Sequence, residues 1–158
     1  MDIYQQLPGE LRDALRAFEN GALDRIIARK RPEDFAALRT LLSAPANPND
    51  RQRAIYALGR WGNPSVVPEI VAVLPGLKES HAYTAIDALG RLGTPEARAA
   101  VESYADHSSP QIRKFVVEAL TRIADPAAQG TLEKMARADR TDWVRELAAR
   151  RMKERLRK

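Results

Sequence analysis

Leu58-Gly59-Arg60-Trp61-Gly62-Asn63-Pro64 returns after 31 residues as Leu89-Gly90-Arg91-Leu92-Gly93-Thr94-Pro95. It returns again, at the same spacing, as Leu120-Thr121-Arg122-Ile123-Ala124-Asp125-Pro126. A fixed period of this size restricts the chain to stacked supersecondary units, each burying its apolar face against its neighbours. The unit reads as a helix pair. First helices are expected over about 50 to 61, 80 to 92 and 110 to 124, and second helices over about 64 to 74, 95 to 106 and 126 to 138. Pro64, Pro95 and Pro126 fall at the start of each second helix, where the missing N–H would have no intrahelical acceptor. Gly62 and Gly93 stand where a left-handed residue ends the first helix.

Superposing the copies separates core from surface. Ala54/Ala85/Val116, Ile55/Ile86/Val117, Ala57/Ala88/Ala119 and Leu58/Leu89/Leu120 are apolar in every first helix. Val66/Ala97/Ala128, Ile70/Val101/Leu132 and Val73/Tyr104/Met135 do the same in the second. Outside these copies, Leu11, Ala14, Leu15 and Phe18 place a capping helix over Pro8 to Glu19, within residues 1–21. Residues 22–43 read as a degenerate repeat, with Pro32 opening its second helix. Residues 50–74, 80–106 and 110–138 are the regular repeats, and 141–158 form a basic capping helix that resembles the start of the third repeat at an offset of 32. The whole, 1–158, is expected to be a single domain.

Zero cysteines leave no disulfide framework and no thiolate chemistry. The start Met1-Asp2-Ile3-Tyr4-Gln5-Gln6 lacks the features of a signal peptide, and no apolar run approaches a membrane span, so the expectation is a cytoplasmic protein with no membrane partner. From Arg137 to Lys158 there are nine basic residues against four acids, an excess equal to the net charge of +5 of the entire chain. A basic tail therefore sits on a neutral body.

The run Ala-Ile-x-Ala-Leu-Gly-Arg-x-Gly-x-Pro, at Ala54 to Pro64 and Ala85 to Pro95, resembles the HEAT-like repeat of the short, phycobilisome-lyase type. The resemblance implies a right-handed α-solenoid whose second helices line a concave surface. It implies several functions: protein-binding platform, bilin-lyase subunit, metal-dependent hydroxylase, or DNA-glycosylase-like protein. The hydroxylase branch needs repeated histidine and glutamate ligands. His81 and His107 are the only histidines, and neither has metal-ligand spacing. No metal, no cofactor and no catalytic residue is expected.

The preferred reading is a non-catalytic scaffold that binds a partner protein or peptide on the concave face through Arg98, Glu102, Glu133 and Lys134. Tyr56 and Tyr83, aligned with polar columns, are candidate aromatic anchors. The alternative is nucleic-acid or polyanion binding through Arg150, Arg151, Lys153 and Arg155, and a third is an accessory subunit of a bilin lyase. Trp61 and Tyr104 are expected in the core, and Trp143 either covers the end of the stack, the preferred use, or contacts a partner. Arg60, Arg91 and Arg122 form a column that either complements the helix C-termini or meets acidic groups of a partner. The partner's identity and the oligomeric state stay open.

The alignment makes Leu89 the centre of the central repeat, where an unpaired carboxylate has no compensation. Leu89→Asp is expected to abolish cooperative thermal unfolding by circular dichroism, and an unchanged melting profile would refute the alignment.

Overall fold

The structure, a computed structural model, describes residues 3–17, 20–43 and 47–155. Phe18 and Glu19 of the expected capping helix, Ala44 to Ala46 of the following loop and Arg157 and Lys158 of the basic tail lie outside the described residues. Among the described residues ten α-helices follow one another: α1 (Gly9–Arg16), α2 (Asn20–Arg29), α3 (Pro32–Ser43), α4 (Pro48–Trp61), α5 (Val67–Val73), α6 (Glu79–Leu92), α7 (Pro95–Glu102), α8 (Pro110–Arg122), α9 (Pro126–Ala138) and α10 (Asp142–Arg155). They make an all-α solenoid of two layers. In one, α2, α4, α6, α8 and α10 neighbour each other in order; in the other, α3, α5, α7 and α9 do so, while α1 packs on α2.

Four α-helices (α4, α7, α8 and α9) and the turn at Pro64–Val66 start by one local device. Asn47, Asn63, Thr94, Ser109 and Asp125 each precede a proline, and each accepts a backbone N–H two or three residues on. The side chain satisfies one orphan donor, and the proline removes another. Stops are less uniform. Gly62 (φ 77°) and Gly93 (φ 69°) end α4 and α6 in the left-handed region, where glycine carries no Cβ penalty. Ile123 ends α8 in an extended conformation instead. There the carbonyls of Leu120 and Asp125 accept from the Arg155 guanidinium of α10, at 3.0 and 2.9 Å.

The second helices differ from the expected ranges. Residues 64 to 74 are a 3-10 turn at Pro64–Val66, then α5, then a 3-10 turn at Leu74–Gly76. Pro68 has no N–H to donate to the carbonyl four residues back, so a continuous helix from Pro64 is broken there. The helix from Pro95 stops at Glu102, and Tyr104, Ala105 and His107 go on with tighter bonds, each to the carbonyl three residues back.

The apolar columns are the core: Ile55, Leu58, Ile86, Leu89, Val116 and Leu120 are wholly buried. Trp61 is buried as expected, its ring 5.3 Å from that of Phe35, with the Lys30 ammonium 5.2 Å above it. Tyr104 is only half-buried, and burial raises its phenol above the usual range.

Adjacent first helices touch through glycine. A Cβ on Gly59 would lie 2.6 Å from the Cβ of Ala88, and one on Gly90 would lie 2.7 Å from Ala119. These are the same contact one repeat apart. Gly90→Ala is expected to destabilise by about 1–3 kcal/mol, through overpacking that outweighs alanine's helix propensity. Gly130 of α9 has no atom within 4 Å of a built Cβ, so Gly130→Ala is expected to stabilise by up to about 1 kcal/mol. Chemical denaturation of the pair checks the sign reversal, and two shifts of the same sign would refute it.

Candidate binding face

The solvent side of the α3, α5, α7 and α9 layer carries the four residues expected to meet a partner. Arg98 sits on α7, where its Nε donates to Asp125 Oδ2 at 2.7 Å and its Nη1 to Glu102. Glu102 also accepts from the Thr131 hydroxyl of α9 at 2.8 Å. Asp125 caps α9 by accepting from the Ala127 N–H. That backbone bond, together with Arg98 and the charge of Arg155, holds its carboxyl below the usual range despite partial desolvation. Arg98 and Glu102 thus form one network tying α7 to α9. Glu133 and Lys134, a turn along α9, are exposed. Glu133 accepts from Gln129, and Lys134 lies 3.4 Å from Asp106 at the rim of α7.

The same face contains an open groove of about 510 Å³ between α3 and α5. Ala36, Thr40, Ser43 and Ala72 keep it wide because they are small, and Arg39 bridges it to Glu69. The bridge raises the Arg39 guanidinium above its ordinary value, first through the hydrogen bonds and then through charge. The hydroxyls of Thr40 and Ser43 donate back to carbonyls of their own helix, leaving aliphatic surface toward the groove. The repeat alignment gave no sign of it, because α3 belongs to the degenerate unit.

The tyrosines lie on the other layer. Tyr56 is half-buried under the Arg60 guanidinium at 5.6 Å. Tyr83 stacks on Phe115 of α8, with centroids 4.9 Å apart. Of the basic residues of α10, Arg151 pairs with Glu118 and Glu154 at 2.9 and 2.7 Å, which raises it further above its ordinary value. Arg155 is occupied by the carbonyls of Leu120 in α8 and Asp125 in the turn after it, whereas Arg150 and Lys153 are exposed. Trp143, expected to cover the stack, is instead 41% exposed. The structure therefore brings Arg98 and Glu102 together and divides the α10 cations into two inward and two outward.

His107 accepts the Ser109 N–H on Nδ1 at 3.1 Å and stacks on Tyr104. Among the described residues no three histidine, aspartate or glutamate side chains are grouped to hold a metal ion. No described helix is long and apolar enough to cross a membrane.

Arg113 was not singled out by its pattern, although it stands in a column otherwise occupied by Arg51, Ala82 and Arg145. Only 1% exposed, it donates to both Asp139 carboxylate oxygens at 2.8 and 3.0 Å, to Thr141 Oγ1, and to the carbonyls of His107 and Ser108. It fastens the loop before α8 to the loop after α9, behind the exposed surface of α9. Burial alone would push the Asp139 carboxyl up. The Arg113 hydrogen bonds, the Thr141 N–H and the charges of Arg113 and Arg140 outweigh it and hold the group below the usual range.

Residues 76–153 match a family model described as HEAT repeats, a span that runs from just before α6 into α10. No curated protein matches the chain.

Arg113→Leu leaves Asp139 buried without its cation and is expected to cost about 3–5 kcal/mol in denaturant melts. A carboxylate depressed in the fold contributes stability above its unfolded value, near pH 4, and loses it as pH falls through the folded value. Asp139→Asn should therefore start less stable at neutral pH and show a flatter decline below about pH 4 than the parent. Parallel curves would show that Asp139 does not supply the acid sensitivity.

Proposed function

Given that the chain carries HEAT repeats over residues 76–153, we propose that it is a non-catalytic scaffold that holds a partner protein or peptide on the solvent side of its second-helix layer. HEAT repeats commonly serve as protein-interaction scaffolds. The observation that carries the reading is the groove between α3 and α5, continuous in layer order with α7 and α9. Its small aliphatic walls and its Arg39–Glu69 bridge offer both an apolar seat and charges that a peptide can engage.

On this reading the four predicted residues divide. Arg98 and Glu102 hold the face in shape by joining α7 to α9, and Glu133 and Lys134 touch the partner. A partner helix or extended segment lies across α5, α7 and α9, with its apolar side chain in the groove.

Three changes test this. Ala72→Arg fills the groove, while Glu133→Lys and Lys134→Glu reverse exposed charges. Each is expected to leave the melting temperature within about 2 °C, as surface changes do. Each should also reduce recovery of a stoichiometric protein captured by the tagged chain, read by quantitative mass spectrometry. Undiminished recovery in all three would place the binding surface elsewhere.

A further inference from the structure

Helices α4, α6 and α8 each receive the next helix of their layer along one stripe. On α4 the stripe holds Gln52, Tyr56 and Gly59: Gln52 donates to Thr84 of α6 at 3.1 Å, and Gly59 meets Ala88. On α6 it holds Tyr83, Asp87 and Gly90, which meet Phe115, Arg122 and Ala119 of α8. On α8 it holds Lys114, Glu118 and Thr121, and Glu118 takes Arg151 of α10. Counted on by 32 residues, the stripe of α10 is Glu146, Arg150 and Lys153, with Trp143 one turn before them at the place of Gln111. All four are exposed, and among the described residues no helix covers them. The flanking columns show the same lack of cover. Ile55, Ile86, Val117, Leu58, Leu89 and Leu120 are 0% exposed, whereas Ala149 and Met152, at the same places on α10, are only half-buried.

We propose that this stripe is a docking surface for an acidic amphipathic helix of a partner protein, which lies along α10 as the next helix of the layer would. The charge decides the occupant. In the two preceding helices the middle position is an acid, Asp87 or Glu118, and it receives an arginine from the following helix. On α10 that position is Arg150, so the incoming group is a carboxylate. Lys153 replaces the glycine that lets backbones touch, which sets the partner farther off and adds a second cation. The wider gap suits Trp143, whose ring supplies an apolar anchor with little conformational cost. Glu146, near the Trp143 end, gives the stripe an order of charge and so an orientation for the partner. A phosphate backbone fits less well. The stripe offers two cations beside an acid, and Arg151 and Arg155 are turned inward onto Glu118, Glu154 and backbone carbonyls. This surface is separate from the second-helix face proposed above.

The test uses the full chain and a synthetic amphipathic helical peptide with leucines along one face and flanking glutamates, beside an isomer with lysines for the glutamates. Trp143 and Trp61 are the only tryptophans, and Trp61 is buried, so Trp143 reports occupation. The glutamate peptide is expected to shift the emission to shorter wavelength and to bind at least about tenfold more tightly than the isomer. Arg150→Glu with Lys153→Glu should invert that preference without moving the melting temperature, since neither residue makes an ion pair among the described residues. Glu133→Lys and Lys134→Glu should leave peptide binding unchanged, which separates this surface from the second-helix face. Equal binding of the two peptides, or none, overturns the proposal. Tighter, steeply salt-dependent binding of a thymidine oligonucleotide would make the stripe a polyanion site and overturn it. Concentration-dependent self-association of the parent, lost in the double variant, would assign the stripe to a second copy and also overturn it.

Discussion

The distance between neighbouring first helices rests on two hydrogen atoms, those that stand in for side chains at Gly59 and Gly90. Any larger group there would have to occupy space held by Ala88 and Ala119. Backbones this close bring the leucine and isoleucine columns on either side into the same layer, where they pack at the density of a protein interior. The repeat period follows from that contact. Each copy must return a glycine and an alanine to the same height on successive helices, and an inserted residue would rotate one of them off the seam.

The contact is absent where α10 meets α8. Thr121 takes the glycine's place, and an offset of 32 residues puts Arg151 where Ala88 and Ala119 stood. The two helices are joined by charge instead: Arg151 to Glu118, and Arg155 to the end of α8. A groove of about 600 Å³ remains between them, lined in part by Thr121, Ile123, Arg151 and Arg155. Arg155 therefore closes a helix that has no glycine stop, and Arg151 spans a seam that has no glycine contact.

Charge follows the repeat as well, with one substitution that explains itself. Arg60 reaches back to Asp24 of α2 at 2.7 Å, and Arg122 reaches back to Asp87 of α6. Arg91 has no acid to reach, because Tyr56 occupies that column on α4, and it folds onto Asp87 of its own helix at 2.9 Å. The acids that the arginine column meets are the chain's own, Asp24 and Asp87, a role that neither alternative read from the sequence includes. Such exposed pairs contribute little singly, roughly 0–1 kcal/mol. Their regular placement penalises a slip in register more than it adds to stability.

Periodicity made the first-helix columns legible because each position there does the same physical task in every copy. It failed where the task changes. Pro68 breaks the second helix of one copy only, Arg113 buries a guanidinium where the preceding copy has Ala82, and Trp143 stands exposed in a column of polar residues. Arg98 and Glu102 lie on a second helix, as the alignment implies, yet their bonds to Asp125 and Thr131 depend on the spacing of α7 and α9, which no column reveals. In a stack of near-identical units most repeated residues are committed to neighbours, so departures from the repeat are where further groups are left uncommitted. The groove beside degenerate α3 and the reversed charge of α10 are two such departures, one at each end of the array of regular copies. Tertiary constraint is weakest there, since among the described residues α3 and α10 each have a neighbour on one side only within their layer.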